Sequence, residues 1–211
     1  MYKYIIFDFD GTLADTKEGI INAASYALSK YGLQPEYDEL KRFIGPSLWY
    51  SFDKFYGFDK DKQTEAVTYY RQYYNAKGMY EACLYDGVKY VLEKIKESGR
   101  FVAIASSKVE NSVINALKYF DIFDYFDIVK GSAPDGSRSD KTLLISDVIK
   151  QTNICSMSDA VYIGDSITDY YGAEALGIDF IAALYDRDVS EFKGVNLTKK
   201  ADSIQDILNF L

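Results

Sequence analysis

The run Tyr4-Ile5-Ile6-Phe7, followed at once by Asp8-Phe9-Asp10-Gly11-Thr12-Leu13-Ala14, constrains this chain more than any other feature. Four apolar residues with no polar alternation predict a strand buried on both faces, as in a parallel sheet. Two carboxylates then stand two residues apart at its carboxyl end. If the strand continued through them, both side chains would point the same way. Gly11 and Thr12 follow, as expected where backbone N–H groups approach an anion. Two acids this close repel each other, so the pair makes sense around a cation or with one carboxyl protonated. A carboxylate nucleophile, a second carboxyl for proton transfer and a metal would make a phosphoryl-transfer site.

The rest of the chain divides by pattern. From Thr16 to Gly78 the apolar spacing is helical. Ile20, Ile21, Ala24, Ala27, Leu28 and Tyr31 mark a first helix, with Thr16 as its N-cap, Asp15 as a further capping residue and Gly32 as its end. A second helix is expected over 36–43. A third has Pro46 in its first turn and Gly57 as terminator, and a fourth runs over 61–77. Four helices without a strand, inserted after a buried strand, predict a separate helical bundle. From Asp86 onward strands (101–105, 127–129, 160–163, 179–182) alternate with helices, ending in a helix over 202–210. That alternation predicts an α/β core with a doubly wound, Rossmann-like parallel sheet, in which ligands sit beyond the carboxyl ends of the strands. The expected domains are a core of 1–15 and 82–211 and a helical domain of 16–81.

Composition narrows the chemistry. The 211 residues are enough for one core plus a small second unit. The net charge of −8 argues against binding a nucleic-acid backbone. It leaves a phosphorylated small molecule open, because a bound divalent cation reverses the local sign. There is no histidine, so histidine-based triads, zinc sites and general bases are all excluded. Cys83 and Cys155 lack metal spacing and are expected to be buried apolar fillers in a reducing compartment. No signal peptide or membrane-length apolar stretch is evident, and a cytoplasmic monomer or weak homodimer is expected.

Four segments together resemble the haloacid dehalogenase superfamily. Asp8-Phe9-Asp10-Gly11-Thr12 is similar to its first motif. Phe101 to Ala105 running into Ser106-Ser107-Lys108 resembles the second, Asp135 to Lys141 the third, and Gly164-Asp165-Ser166-Ile167-Thr168-Asp169 the fourth. The members most similar in pattern are phosphoglycolate-phosphatase-like, with a small helical cap. The resemblance implies a Mg2+-dependent phosphatase working through an aspartyl phosphate. Asp8 would be the nucleophile, Asp10 the general acid and base, and Ser106 and Lys141 the phosphoryl ligands, with N–H groups near Gly11 and Ser107. Asp8, Asp10 (through its carbonyl), Asp165 and Asp169 would hold the metal. All-oxygen ligands of this kind suit Mg2+.

Each position also has a plainer structural reading. A strand-end Asp is often a cap, Asp169 suits the first turn of a helix, and Lys108 is a second lysine given a minor role. Lys141 at a helix start is misplaced against the dipole, which favours a functional role. In the cap, Ser47 and Trp49 stand where relatives often carry a proline and a cation. Trp49, with Tyr50 and Phe52, could stack on a substrate ring or pack the bundle. The substrates expected are 5′-nucleotides, sugar phosphates and phosphoglycolate, in that order. A β-phosphoglucomutase-like phosphotransferase lacks its cap histidine here. A receiver-like signalling domain would be shorter and would lack Asp10. A non-catalytic phospho-binding protein would not need every catalytic position filled.

Overall fold

The computed structural model describes every residue except Asn153. Two compact units emerge: Met1–Ala14 with Leu84–Leu211, and Asp15–Cys83. In the first, β1 (Tyr4–Phe7), β4 (Phe101–Val109), β5 (Ile128–Ser132), β6 (Ala160–Gly164), β7 (Asp179–Ala183) and β8 (Lys200–Ala201) form a parallel sheet. Its order is β5-β4-β1-β6-β7-β8. β1 is central: Phe7 is level with Ile104 on one side and Ile163 on the other.

The absence of alternation in β1 now has its physical cause. Ile6, Ala103, Ala105 and Tyr162 face one way into a core completed by Leu144, Ile145 and Val148 of α7 (Lys141–Lys150). Their neighbours Ile5, Phe7, Val102 and Ile104 point oppositely and are equally buried. α5 (Val88–Glu97), α6 (Glu110–Tyr119) and α8 (Ile167–Ala175) supply the remaining cover, with α8 against β6 and β7. From β1 the chain winds outward through β4 and β5 on one side and then returns to build β6, β7 and β8 on the other. The carboxyl ends of β4, β1 and β6 therefore splay around one crevice.

In the second unit, α1 (Lys17–Ser29), α2 (Tyr37–Leu40), α3 (Leu48–Tyr56) and α4 (Lys60–Ala76) share an aromatic-rich core. Phe52 is fully buried between Phe43 (ring centroids 5.2 Å, edge to face) and Phe58 (5.9 Å, stacked). It is therefore core and has no face left for a substrate ring. The tyrosine-rich helix splits by helical phase. Tyr70 and Tyr74, four apart, are buried and stacked, whereas Tyr69 and Tyr73 point their hydroxyls at Glu65 and Glu81. α1 and the 3-10 turn Gly78–Tyr80 approach so closely that a Cβ on Gly19 would lie 1.9 Å from the Gly78 carbonyl oxygen. The chain passes between the units at β2 (Ala14–Asp15) and β3 (Cys83–Leu84), which pair as a short ribbon.

Several expectations change. β1 stops at Phe7, so Asp8 lies just past the strand and Asp10 forms an isolated bridge with Ala14 across the turn 11–13, not on one continuous strand face. β4 runs on past Ala105 through Ser106, Ser107 and Lys108, with a register shift against β5 between Ser106 and Val109. The second helix breaks into α2 and a 3-10 turn, Lys41–Phe43. Pro46 lies ahead of α3, whose N-cap is Ser47. The terminal helix is 3-10 (Ile204–Asn209), begun by a Ser203–Asp206 capping box too short to propagate an α-helix. Thr16 sits at the N-cap of α1, but its hydroxyl makes no cap bond; Asp15 instead accepts the Lys17 N–H at 3.1 Å. Cys83 and Cys155 are exposed, not buried. Among the described residues, no helix is long and apolar enough to cross a membrane.

The Gly19 contact gives a stability test. Gly19→Ala should destabilise the helical unit by about 1–3 kcal/mol, because the new methyl group meets backbone that cannot rotate away. Trp49, the sole tryptophan, lies in that unit, so its fluorescence during urea unfolding reads the effect there. An unchanged midpoint would mean that α1 and the Gly78 turn separate at no cost.

Candidate active site

Asp8 follows β1 directly, and its N–H still donates to Ile163 O of β6 at 2.9 Å. One carboxylate oxygen, Oδ1, accepts the Phe9 N–H at 2.8 Å; the other, Oδ2, lies 2.9 Å from Lys141 Nζ. Lys141 is the first residue of α7, whose N-cap Asp140 accepts the Leu143 N–H at 3.0 Å. The cap offsets the unfavourable placement of a cation in a first turn, and Lys141 turns its buried ammonium inward. There it also meets Asp169 Oδ1 at 2.8 Å and the Tyr162 hydroxyl at 3.1 Å. Tyr162 in turn donates to Ala105 O at 2.6 Å.

Asp169, fully buried, is at once a helix cap and a site residue. Its Oδ2 accepts the Ser166 N–H and hydroxyl at 3.0 and 2.7 Å in a capping box, while its Oδ1 faces Lys141. Asp165, just past β6, packs on the backbone of Gly11. A Cβ there would lie 2.1 Å from Asp165 Oδ2, and Gly11 has φ +78°. Both facts call for glycine. Asp8, Asp165 and Asp169 each offer an oxygen, and the three lie within 4.8 Å of one another.

The other sequence candidates distribute around this group. Ser106 is buried and its hydroxyl accepts the Lys108 N–H at 3.3 Å, close enough to Asp8 to draw that carboxyl's pKa down. The Ser107 hydroxyl is taken up by Ser139 O at 3.1 Å. The Asp10 carboxylate is not one of the three clustered carboxylates and pairs with Lys108 Nζ at 2.7 Å, an ion pair the sequence reading did not anticipate. In the helical unit, Ser47 caps α3 by accepting the Tyr50 N–H at 3.3 Å. Trp49 is half-buried against that unit's core, with Lys60 Nζ 5.7 Å from its ring.

Comparison with known proteins decides the family. Residues 5–183 match the family model described as haloacid dehalogenase-like hydrolase. The chain belongs to the haloacid dehalogenase-like hydrolase family. It is 34% identical over 185 residues to the 5′-nucleotidase of Pseudomonas aeruginosa, covering 87% of this chain and 83% of that protein. It is 32% identical to tyrosine-protein kinase PtkA of Mycobacterium tuberculosis over 85% of this chain and 61% of that one. The crystal structure of a predicted phosphatase from Clostridium acetobutylicum superposes with a TM-score of 0.93 at 35% identity, covering 100% of this chain and 98% of that one. This haloacid dehalogenase-like hydrolase is accordingly a phosphatase, an enzyme acting on phosphate esters.

The electrostatics of this hydrolase's site are those of excess negative charge. Four carboxylates (Asp8, Asp10, Asp165, Asp169) face three cations (Lys108, Lys141, Arg187), one charge short of balance. Burial raises Asp8 to about 6; Lys141 pulls it down, but Asp169 pushes it up. Burial and Asp169 likewise raise Asp165 to about 7 against the pull of Arg187. Burial works against the charge on Lys141, yet Asp169 and Asp8 outweigh it and hold the ammonium well above its ordinary value. One ammonium shared between two carboxylates is strongly held, while neither carboxylate is fully neutralised. An all-oxygen, electron-rich and charge-deficient cluster fits a hard divalent cation.

Sequence reasoning missed Arg187 and Tyr162. Arg187 Nε lies 2.7 Å from Asp165 Oδ2. It stands just beyond the end of β7, next to β6 in the sheet, and strand-end position was the available signal. Tyr162 is hidden within the apolar run of β6, where nothing in its spacing separates a buried hydroxyl from a packing ring.

A pH dependence follows from the raised carboxyls. Their pKa values in the folded protein exceed the unfolded value of 3.8. The native state therefore holds protons that the unfolded state releases, and these groups remove stability as pH rises from about 4 through 7. Without divalent cations, Asp165→Asn should raise the melting temperature relative to the native sequence more at pH 8 than at pH 5, by on the order of a few degrees. Equal differences at both pH values would show that Asp165 is not strained by its charge.

Proposed function

We propose that this protein is a Mg2+-dependent phosphomonoesterase that hydrolyses small phosphorylated metabolites through an aspartyl phosphate on Asp8, with 5′-nucleotides the preferred class. The observation that carries this reading is the convergence of the Asp8, Asp165 and Asp169 carboxylates past the ends of β1 and β6, with Lys141 shared between Asp8 and Asp169 and Arg187 on Asp165. Asp8, Asp165, Asp169 and the backbone carbonyl of Asp10 would hold the cation, which would draw charge from the phosphoryl oxygens.

The chain's own groups perform the steps. An Asp8 carboxylate oxygen forms a bond to phosphorus as the bond to the leaving oxygen breaks, and Asp10 gives its proton to that oxygen. Asp10 then takes a proton from water, whose oxygen attacks phosphorus and frees Asp8 and inorganic phosphate. Lys141, the Ser106 hydroxyl and the N–H groups near Gly11 and Ser107 hold the transferring oxygens and offset their charge. Lys108 keeps Asp10 in place through its 2.7 Å contact. With no histidine in the chain, a carboxyl is the natural group for both proton transfers.

The similarity to a 5′-nucleotidase favours nucleotides as substrate. Ser47 and Trp49 of the helical unit are the residues proposed to meet the leaving group. The Ser47 hydroxyl already caps α3, which leaves Trp49 as the stronger of the two.

Phosphate release with Mg2+ should be measured across nucleoside monophosphates, sugar phosphates, phosphoglycolate and an aryl phosphate. Asp8→Asn should lower turnover by about a thousandfold or more. Asp10→Asn should lower it by roughly 10²–10⁴-fold, and least for an aryl leaving group that needs little protonation. Full activity in Asp8→Asn would overturn the covalent route. On a nucleotide substrate, Trp49→Ala should raise KM about tenfold with little change in kcat, the pattern of lost ring contact. A normal KM would remove Trp49 from recognition.

A further inference from the structure

Among the described residues, Arg187 is a strongly placed cation at the site that the proposed chemistry does not use. Its Nε donates to Asp165 Oδ2 at 2.7 Å, and its Nη1 lies 3.4 Å from Glu191 Oε2. Burial works against the guanidinium charge, and Asp165 more than offsets it. The loop that carries it is fixed on both sides. Tyr185 donates its hydroxyl to the carbonyl of Thr12, in the turn after Asp10. Tyr85 donates to Asp186 Oδ2 at 2.6 Å and packs edge to face on Tyr185, ring centroids 4.8 Å apart. The loop after β7 is thereby fastened to the loop after β1, and Arg187 is delivered to one of the three clustered carboxylates.

Asp165 has little freedom to serve two cations separately. Its carboxylate is almost wholly buried, and its Oδ2 is wedged against Gly11 on one side and Arg187 on the other. Resting on the metal reading above, we infer that Arg187 is a positioning residue that competes with the divalent cation for Asp165. It neutralises Asp165 in the cation-free protein and thereby sets the cation concentration the protein needs. The charge count supports this: against the three clustered carboxylates, Lys141 and Arg187 together leave one charge unbalanced, whereas without Arg187 the deficit is two, matching a divalent ion. A charged partner this close to a ligand oxygen weakens a second cation there whether it swings aside or stays.

The test is a thermal-shift titration with Mg2+, started from chelator-treated protein, on the native sequence, Arg187→Gln and Asp165→Asn. Binding to the folded state raises the melting temperature in proportion to RT ln(1 + [Mg2+]/Kd), so the titration reads affinity without turnover. The expected result for Arg187→Gln is a lower melting temperature without cation, a larger rise on adding Mg2+, and a half-saturating concentration at least tenfold lower. Asp165→Asn should lose most of the rise. If Arg187→Gln does not fold, Arg187→Met, which keeps the stem and its packing, carries the same expectation. An equal loss of stability with and without Mg2+ and an unchanged half-saturating concentration would make Arg187 a structural tie only and overturn the inference. No Mg2+-dependent shift in the native sequence would overturn the metal reading itself, and the inference with it.

Discussion

The site depends on one buried ammonium. Lys141 touches Asp8, Asp169 and the Tyr162 hydroxyl, and through them it ties the start of α7 to the end of β1, the middle of β6 and the start of α8. Buried carboxylates of like charge repel and are poorly solvated, so a cluster of them persists only where cations stand among them. The pairing is directional as well as electrostatic. Asp8 also receives its neighbour's N–H, and Asp169 is held by a capping box, so each carboxylate has one oxygen fixed and one turned toward the lysine.

That constraint explains why so much of the surroundings is small or rigid. Gly11 and Gly164 stand where any side chain would run into Asp165 and Asp169, respectively. The site is thus built by removing bulk from the backbone side as well as by adding charge from the side-chain side. The flanking apolar strands leave almost no room for either to relax, because both faces of the sheet are filled.

The sheet and most helices were legible in the sequence because their signals are local: an unbroken apolar run, a helical stripe, a glycine after it. The carboxylates at strand ends were legible for the same reason. What escaped notice depends on pairing across the fold. Arg187 is 22 positions from Asp165 and meets it only because β6 and β7 are neighbours in the sheet. Lys108 reaches Asp10 because β4 runs beyond its apolar part, and polar residues at its end hid that continuation. The exposure of both cysteines was misjudged because burial of a small residue follows its neighbours more than its type.

The ribbon of β2 and β3 carries a consequence for the chain's architecture. The 69-residue excursion Asp15–Cys83 leaves and rejoins the core at positions that are hydrogen-bonded to each other. The sheet, meanwhile, sets β1 directly beside β4, the long strand that follows the excursion. The core's wiring is therefore indifferent to what hangs between those two points. A shorter hairpin or a different bundle could be spliced there without breaking a single rung of the main ladder. The helical unit is in that sense an exchangeable attachment, free to diversify while the carboxylate cluster stays fixed.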